Sequence, residues 1–132
     1  MSGLGPMLVD LAEELYRQVN PNFVQGDMLT SQVFEATRKD QGLLSVNRAT
    51  KTTAKAAFER FLASGSRSIG VVAVTVVEVV QVGLKAHEDA QLEDAAHVVI
   101  DFNGKSEGDA RRARKQLAVM AQARGWRHRS AA

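Results

Sequence analysis

The chain has no cysteine, two prolines and only 5% aromatic residues in 132. Without cysteine there are no disulfides, no thiol nucleophile and no thiolate-ligated metal. With so few aromatics, valine, leucine and alanine must fill the core, and the 45% hydrophobic and 24% charged content is that of an ordinary globular protein. No apolar run is long enough to span a bilayer: the valine-rich stretch 69–82 is short and holds Glu78. Pro6-Met7-Leu8-Val9 has no basic segment before it, and Asp10, Glu13 and Glu14 follow soon after, so no secretion signal is expected. The expectation is a cytoplasmic protein with no membrane association. Its length suits one domain over residues 1–132, with 1–6 and 127–132 flexible.

Catalytic and ligand-binding motifs are also missing. There is no G-x-x-x-x-G-K-[ST] phosphate loop, and no H-E-x-x-H or H-x-x-E-H pattern. His87-Glu88-Asp89 would need a third ligand from elsewhere, because neighbours on a strand point to opposite faces. No metal or cofactor is expected. Ser31 and Ser45 are available hydroxyls, but neither sits in a G-x-S-x-G elbow. His97 and Asp101 would share one strand face with Cα atoms roughly 13 Å apart, too far for a direct hydrogen bond. No catalytic residue is assigned on these grounds.

Charge is distributed unevenly. Residues 105–132 carry eight Lys or Arg against Glu107 and Asp109, a net of 8 − 2 = +6, whereas residues 1–104 carry nine against thirteen, a net of −4. A basic end attracts polyanions or acidic protein surfaces first.

Periodicity and punctuation predict the elements. Leu8, Leu11, Leu15 and Val19 recur at helical spacing, predicting a helix over 7–19 that Asn20-Pro21-Asn22 stops. Residues 22–52 are polar and weakly periodic, with turn signals at Gly26-Asp27 and Gln41-Gly42. Short apolar pieces there (Met28-Leu29, Val33-Phe34, Leu43–Val46) read as brief strands or a structured loop. A helix over 53–63 follows, capped by Thr53 and closed by Ser64-Gly65-Ser66. The valine run divides into a buried strand, 69–74, and a short helix that Thr75 and Glu78 cap reciprocally before Gly83. Strands are predicted at 84–89 and 97–102, then a helix from Glu107 to Arg124, capped by Ser106 and ended by Gly125. The pattern is α+β: a small sheet covered by helices, with a basic amphipathic C-terminal helix.

On that last helix Ala110, Ala113, Leu117, Met120 and Ala121 fall on one side, and Arg111, Arg112, Arg114 and Lys115 spread over the other. Arginines near a helix start oppose its dipole, so helix stability does not account for them. With Arg124, Trp126, Arg127 and Arg129 they form the candidate partner-binding set, and Trp126 beside Arg127 could stack on a nucleic-acid base. The polar residues Ser31, Gln32, Arg38, Lys39, Asp40, Ser45 and Arg48 mark 23–51 as a second candidate region.

Several segments together resemble a family of small, uncharacterised bacterial proteins. They are Leu15–Val19 with Pro21 and Phe23, Ser31-Gln32 with Phe34, Lys39-Asp40 before Leu44-Ser45-Val46, Gly70–Val76 with Glu78, His97–Phe102 and Ala123–Trp126. The resemblance runs from Leu15 nearly to the end. It implies a bacterial protein of one domain, of a kind often encoded within multi-gene systems, and carries no activity with it. Absent a catalytic constellation, the expectation is a non-catalytic accessory protein that engages another protein through the basic helix and the 23–51 region. Nucleic-acid binding by the same helix is the first alternative, and a small enzyme or toxin with a site near 23–51 the second.

Overall fold

The computed structural model describes residues 4–36 and 41–130. One antiparallel sheet runs through it, built from β1 (Glu14–Gln18), β4 (Leu43–Arg48), β5 (Gly70–Thr75), β6 (Lys85–Glu88), β7 (His97–Asp101) and β8 (His128–Arg129), in the order β6-β7-β4-β1-β5-β8. A hairpin of β2 (Val24–Gln25) and β3 (Met28–Leu29) forms a separate two-stranded ribbon. Among the described residues three α-helices complete the α+β fold: α1 (Ala54–Ala63), α2 (Val76–Gln81) and α3 (Glu107–Arg124).

The valine run splits where its polar residues require. Glu78 N donates to Thr75 Oγ1 at 3.3 Å and Thr75 N donates to Glu78 Oε1 at 2.8 Å, the reciprocal cap that starts α2. Before it, residues 70–74 of β5 are all buried, because the strand is covered on both faces and so shows no alternation. On one face α3, α2 and a 3-10 turn at Ser31–Phe34 close over Leu15, Leu44, Val72, Val74, Val98 and Ile100. On the other, α1 rests on β1, β5 and β8, with Ala54 and Phe58 against Val71 and Tyr16.

The helix expected over 7–19 is instead a stretch of extended chain ending in the strand β1 near the middle of the sheet. Leu15 pairs with Val74 on one side and Arg48 on the other. Leu15 faces one layer of helices and Tyr16 the other, while Leu15 and Val19, four residues apart, are buried in the same cluster, a spacing that a helix would also give. Leu11, counted as part of the apolar stripe, is exposed. Upstream, Glu88 N donates to Pro6 O at 2.8 Å, and Met7 bridges to His87. The sheet also takes in residues near the other end. Residues 128–129 form β8 against Gly70 and Val71.

Glu13 is the one buried charged residue among the described residues. Its carboxylate accepts from Arg48 Nε at 3.0 Å, Arg48 Nη2 at 2.9 Å and Thr50 Oγ1 at 2.6 Å, tying the start of β1 to the end of β4. Burial pushes its pKa up, but these hydrogen bonds together outweigh burial and hold it below the ordinary value.

Candidate functional site

The final helix forms as its caps dictate. Ser106 Oγ accepts from Asp109 N at 3.1 Å, and Gly125 leaves the helix at φ 91°, a conformation other residues rarely adopt. Ala113, Leu117, Ala118 and Ala121 are buried, with Ala110 and Met120 packed at the margin.

The eight residues of the candidate set divide by what they touch. Arg124 is committed internally: its Nη1 donates to Glu78 Oε1 at 2.9 Å and to Ala73 O at 2.9 Å, and its Nη2 donates to Glu78 Oε2 at 2.8 Å. Arg127, expected to be free, grips Glu14 with Nε at 2.8 Å and Nη2 at 2.7 Å. Trp126 packs against the core with its ring over Gly70, where an added Cβ would come within 2.9 Å of it, and Arg129 lies 4.5 Å from the ring centroid. The indole is therefore already sandwiched rather than presented to a base.

Arg111, Arg112 and Lys115 remain on the outer side of the helix, whereas Arg114, expected there with them, is largely covered and its Nε is buried without a hydrogen-bond partner. Arg111 and Arg114 approach Glu107 at 3.9 and 3.7 Å, and Arg112 reaches Asp109 at 3.1 Å. These pairs are solvent-screened and weak at the exposed Arg111 and Arg112. Lys115 is exposed and makes no ion pair among the described residues.

Two apolar depressions adjoin Lys115. One, of about 400 Å³, lies between α2 and α3 and is lined by Gln81, Val82, Lys115, Gln116, Val119 and Met120. The other, of about 430 Å³, lies between α3 and the β2–β3 hairpin, with Met28, Leu29, Ala118, Val119 and Ala123 in its walls. Val119, 69% exposed in mid-helix, is common to both, and Met28 is 60% exposed at the edge of the second. Gln122 fixes the hairpin here, accepting from Leu29 N at 2.7 Å and donating to Asp27 O at 3.3 Å. In the sequence Met28 reads only as part of a brief strand or loop, and Val119 does not stand out, because an apolar residue on a polar helix face marks a site only when a second element supplies the other wall.

The rest of region 23–51 is structured. A 3-10 turn at Pro21–Phe23 leads into the hairpin, and the turn at Ser31–Phe34 buries Val33 and Phe34 under α3. Arg17 reaches across to donate to Val33 O at 2.7 Å and Ser45 O at 2.9 Å. Arg38, Lys39 and Asp40 lie outside the described residues.

On the opposite sheet face, the antiparallel register joins residues that the sequence holds apart. Ser45 on β4 pairs with Val99, and Asn47 with His97. His97 Nε2 lies 3.1 Å from Ser45 Oγ, while its Nδ1 lies 2.9 Å from Asp89 Oδ2 and 3.2 Å from Asp89 O. Asp101, on the same face of β7 as His97, accepts from Asn103 N at 2.9 Å. Among the described residues no group of three or more His, Asp or Glu could hold a metal ion, and no helix is long and apolar enough to cross a membrane.

No protein-family model, curated protein or solved structure matches the chain.

Proposed function

We propose that this is an accessory binding protein that engages an acidic, amphipathic segment of another protein on the outer face of α3. The observation that carries this reading is Val119, an exposed valine between two apolar depressions, with Lys115 beside it and Arg111 and Arg112 toward the helix start. A partner helix or strand would place apolar side chains on either side of Val119 and carboxylates over Lys115 and the two arginines. Truncating such a central anchor costs about 2 kcal/mol or more of binding. This surface draws on both candidate regions, since Met28, Leu29 and Ser31 of 23–51 line the second depression with α3. The wider role is that of a component in a bacterial multi-protein system, in keeping with the family the chain resembles.

Protein is favoured over nucleic acid as the partner because Arg124 and Arg127 are spent on internal carboxylates and Trp126 is sandwiched. Co-purification from native extract, with nuclease treatment, tests this. A protein retained by wild type and by Arg129→Ala, but lost with Val119→Glu and with Lys115→Glu, agrees with it. Retention that vanishes on nuclease treatment, or that ignores both α3 variants, contradicts it.

A further inference from the structure

We infer that Ser45, His97 and Asp89 form a second site, a nucleophilic serine relay that acts on small carboxylic esters. The inference is independent of the α3 surface. Both neighbours of His97 Nδ1, the Asp89 carboxylate and the Asp89 carbonyl, are acceptors. Nδ1 must therefore carry the hydrogen, and the neutral ring then has its lone pair on Nε2. Ser45 Oγ, 3.1 Å away, can only donate to it. A serine hydroxyl that donates to an imidazole, itself oriented by a carboxylate, is the arrangement that makes serine a nucleophile.

The neighbouring strand β1 supplies a donor. Tyr16 on β1 is opposite Asn47 on β4, so two residues farther along each strand Gln18 and Ser45 fall on the same sheet face. Gln18 Oε1 is buried without a hydrogen-bond partner, so no donor holds the carboxamide by its oxygen. Its amide is the donor we assign to the oxyanion. Gln18 also lines a cavity of about 580 Å³ whose walls mix Phe23 and Phe61 with Arg17, Asn20, Ser66 and Arg67.

In the reaction, Ser45 Oγ bonds to the ester carbonyl carbon as its proton passes to His97 Nε2, and Asp89 stabilises the imidazolium at Nδ1. The tetrahedral adduct then collapses. Its carbon–oxygen bond to the leaving alcohol breaks, and the alcohol departs with the proton from Nε2. Water next attacks the acyl-serine and gives its proton to Nε2. The Oγ–carbon bond breaks, and the proton returns to Ser45. Ester and water become acid and alcohol, with no other reactant.

The test is labelling of the full-length protein by a fluorophosphonate, together with release of nitrophenol from p-nitrophenyl acetate. The expected result is a single adduct mapped to Ser45 by peptide mass spectrometry. Labelling should be absent in Ser45→Ala and slowed by about a hundredfold or more in His97→Gln. Asp89→Asn should slow labelling at an unchanged melting temperature, which separates orientation of the ring from loss of fold. Absence of an adduct at Ser45 in the wild-type protein, or equal labelling of wild type and His97→Gln, overturns the assignment.

Discussion

Arg124 and Glu78 join the C-terminal end of α3 to the N-terminal end of α2 through two parallel hydrogen bonds of 2.9 and 2.8 Å. Glu78 Oε1 also accepts the Thr75 amide, so one carboxylate caps a helix and anchors another. Both side chains are largely shielded, at 21% and 15% exposure, where a bidentate guanidinium–carboxylate pair is strongest. The cation closest to the end of the basic helix is thus part of the scaffold.

Arg124→Ala should therefore lower stability by about 2–3 kcal/mol, the range for hydrogen bonds to charged groups, with part of it due to the Glu78 charge left behind. Urea unfolding measures this. Substitution of the exposed Arg112 should shift the midpoint far less, since exposed pairs contribute about 0–1 kcal/mol.

The acid limb of stability follows from three carboxylates held below their ordinary value of 4.5. For Glu14 the leading cause is the Arg127 hydrogen bond; for Glu13 and Glu78 burial raises the pKa, but the arginine and threonine hydrogen bonds together outweigh it. A depressed folded pKa contributes stability that is fully present above the unfolded value. It is lost as pH falls through the folded value. Unfolding free energy should thus decline from about pH 5 downward. In Glu78→Gln the decline should be shallower, from a lower plateau, as read by urea titrations at successive pH values.

Glu13→Ala is expected to be among the most damaging single changes. It removes four hydrogen bonds, including one from Thr50 N at 3.4 Å, and leaves Arg48 with Glu88 at 3.3 Å as its remaining ion pair. Breaking a buried pair from one side costs about 3–5 kcal/mol. A thermal midpoint within a degree or two of wild type would contradict this.

Gly70→Ala should also destabilise. A Cβ there would lie 2.5 Å from the His128 carbonyl and 2.9 Å from the Trp126 ring, so β8 must move away. Overpacking of this kind costs about 1–3 kcal/mol. Faster hydrogen exchange at the amides of Arg127 and Ser130, which donate to Val71 and Ile69, would report the detachment.

Elements with their own start and stop signals were legible in the sequence. Thr53, Thr75 and Ser106 each accept the amide three residues on, and α1, α2 and α3 begin where those caps place them. Elements made by partners distant in the chain were not. β1 is specified by β4 and β5, and β8 by two residues of β5, so local spacing misled for the first and was silent for the second. The same holds for the sites. The basic helix was visible as charge, but which cations are committed depends on Glu14 and Glu78, far from them in the chain. Ser45, His97 and Asp89 carry no common motif and meet through the register of β4 with β7 and of β7 with β6.

The most direct measurement of the central claim is photo-crosslinking in native cells from a photoreactive residue at position 119, with Arg129 and the exposed Leu62 of α1 as comparison positions. The account predicts a protein adduct from position 119 alone, mapping to an acidic segment with apolar residues and disappearing with Lys115→Glu. Adducts from position 129 or 62 in equal yield, or adducts to nucleic acid from 119, would contradict it.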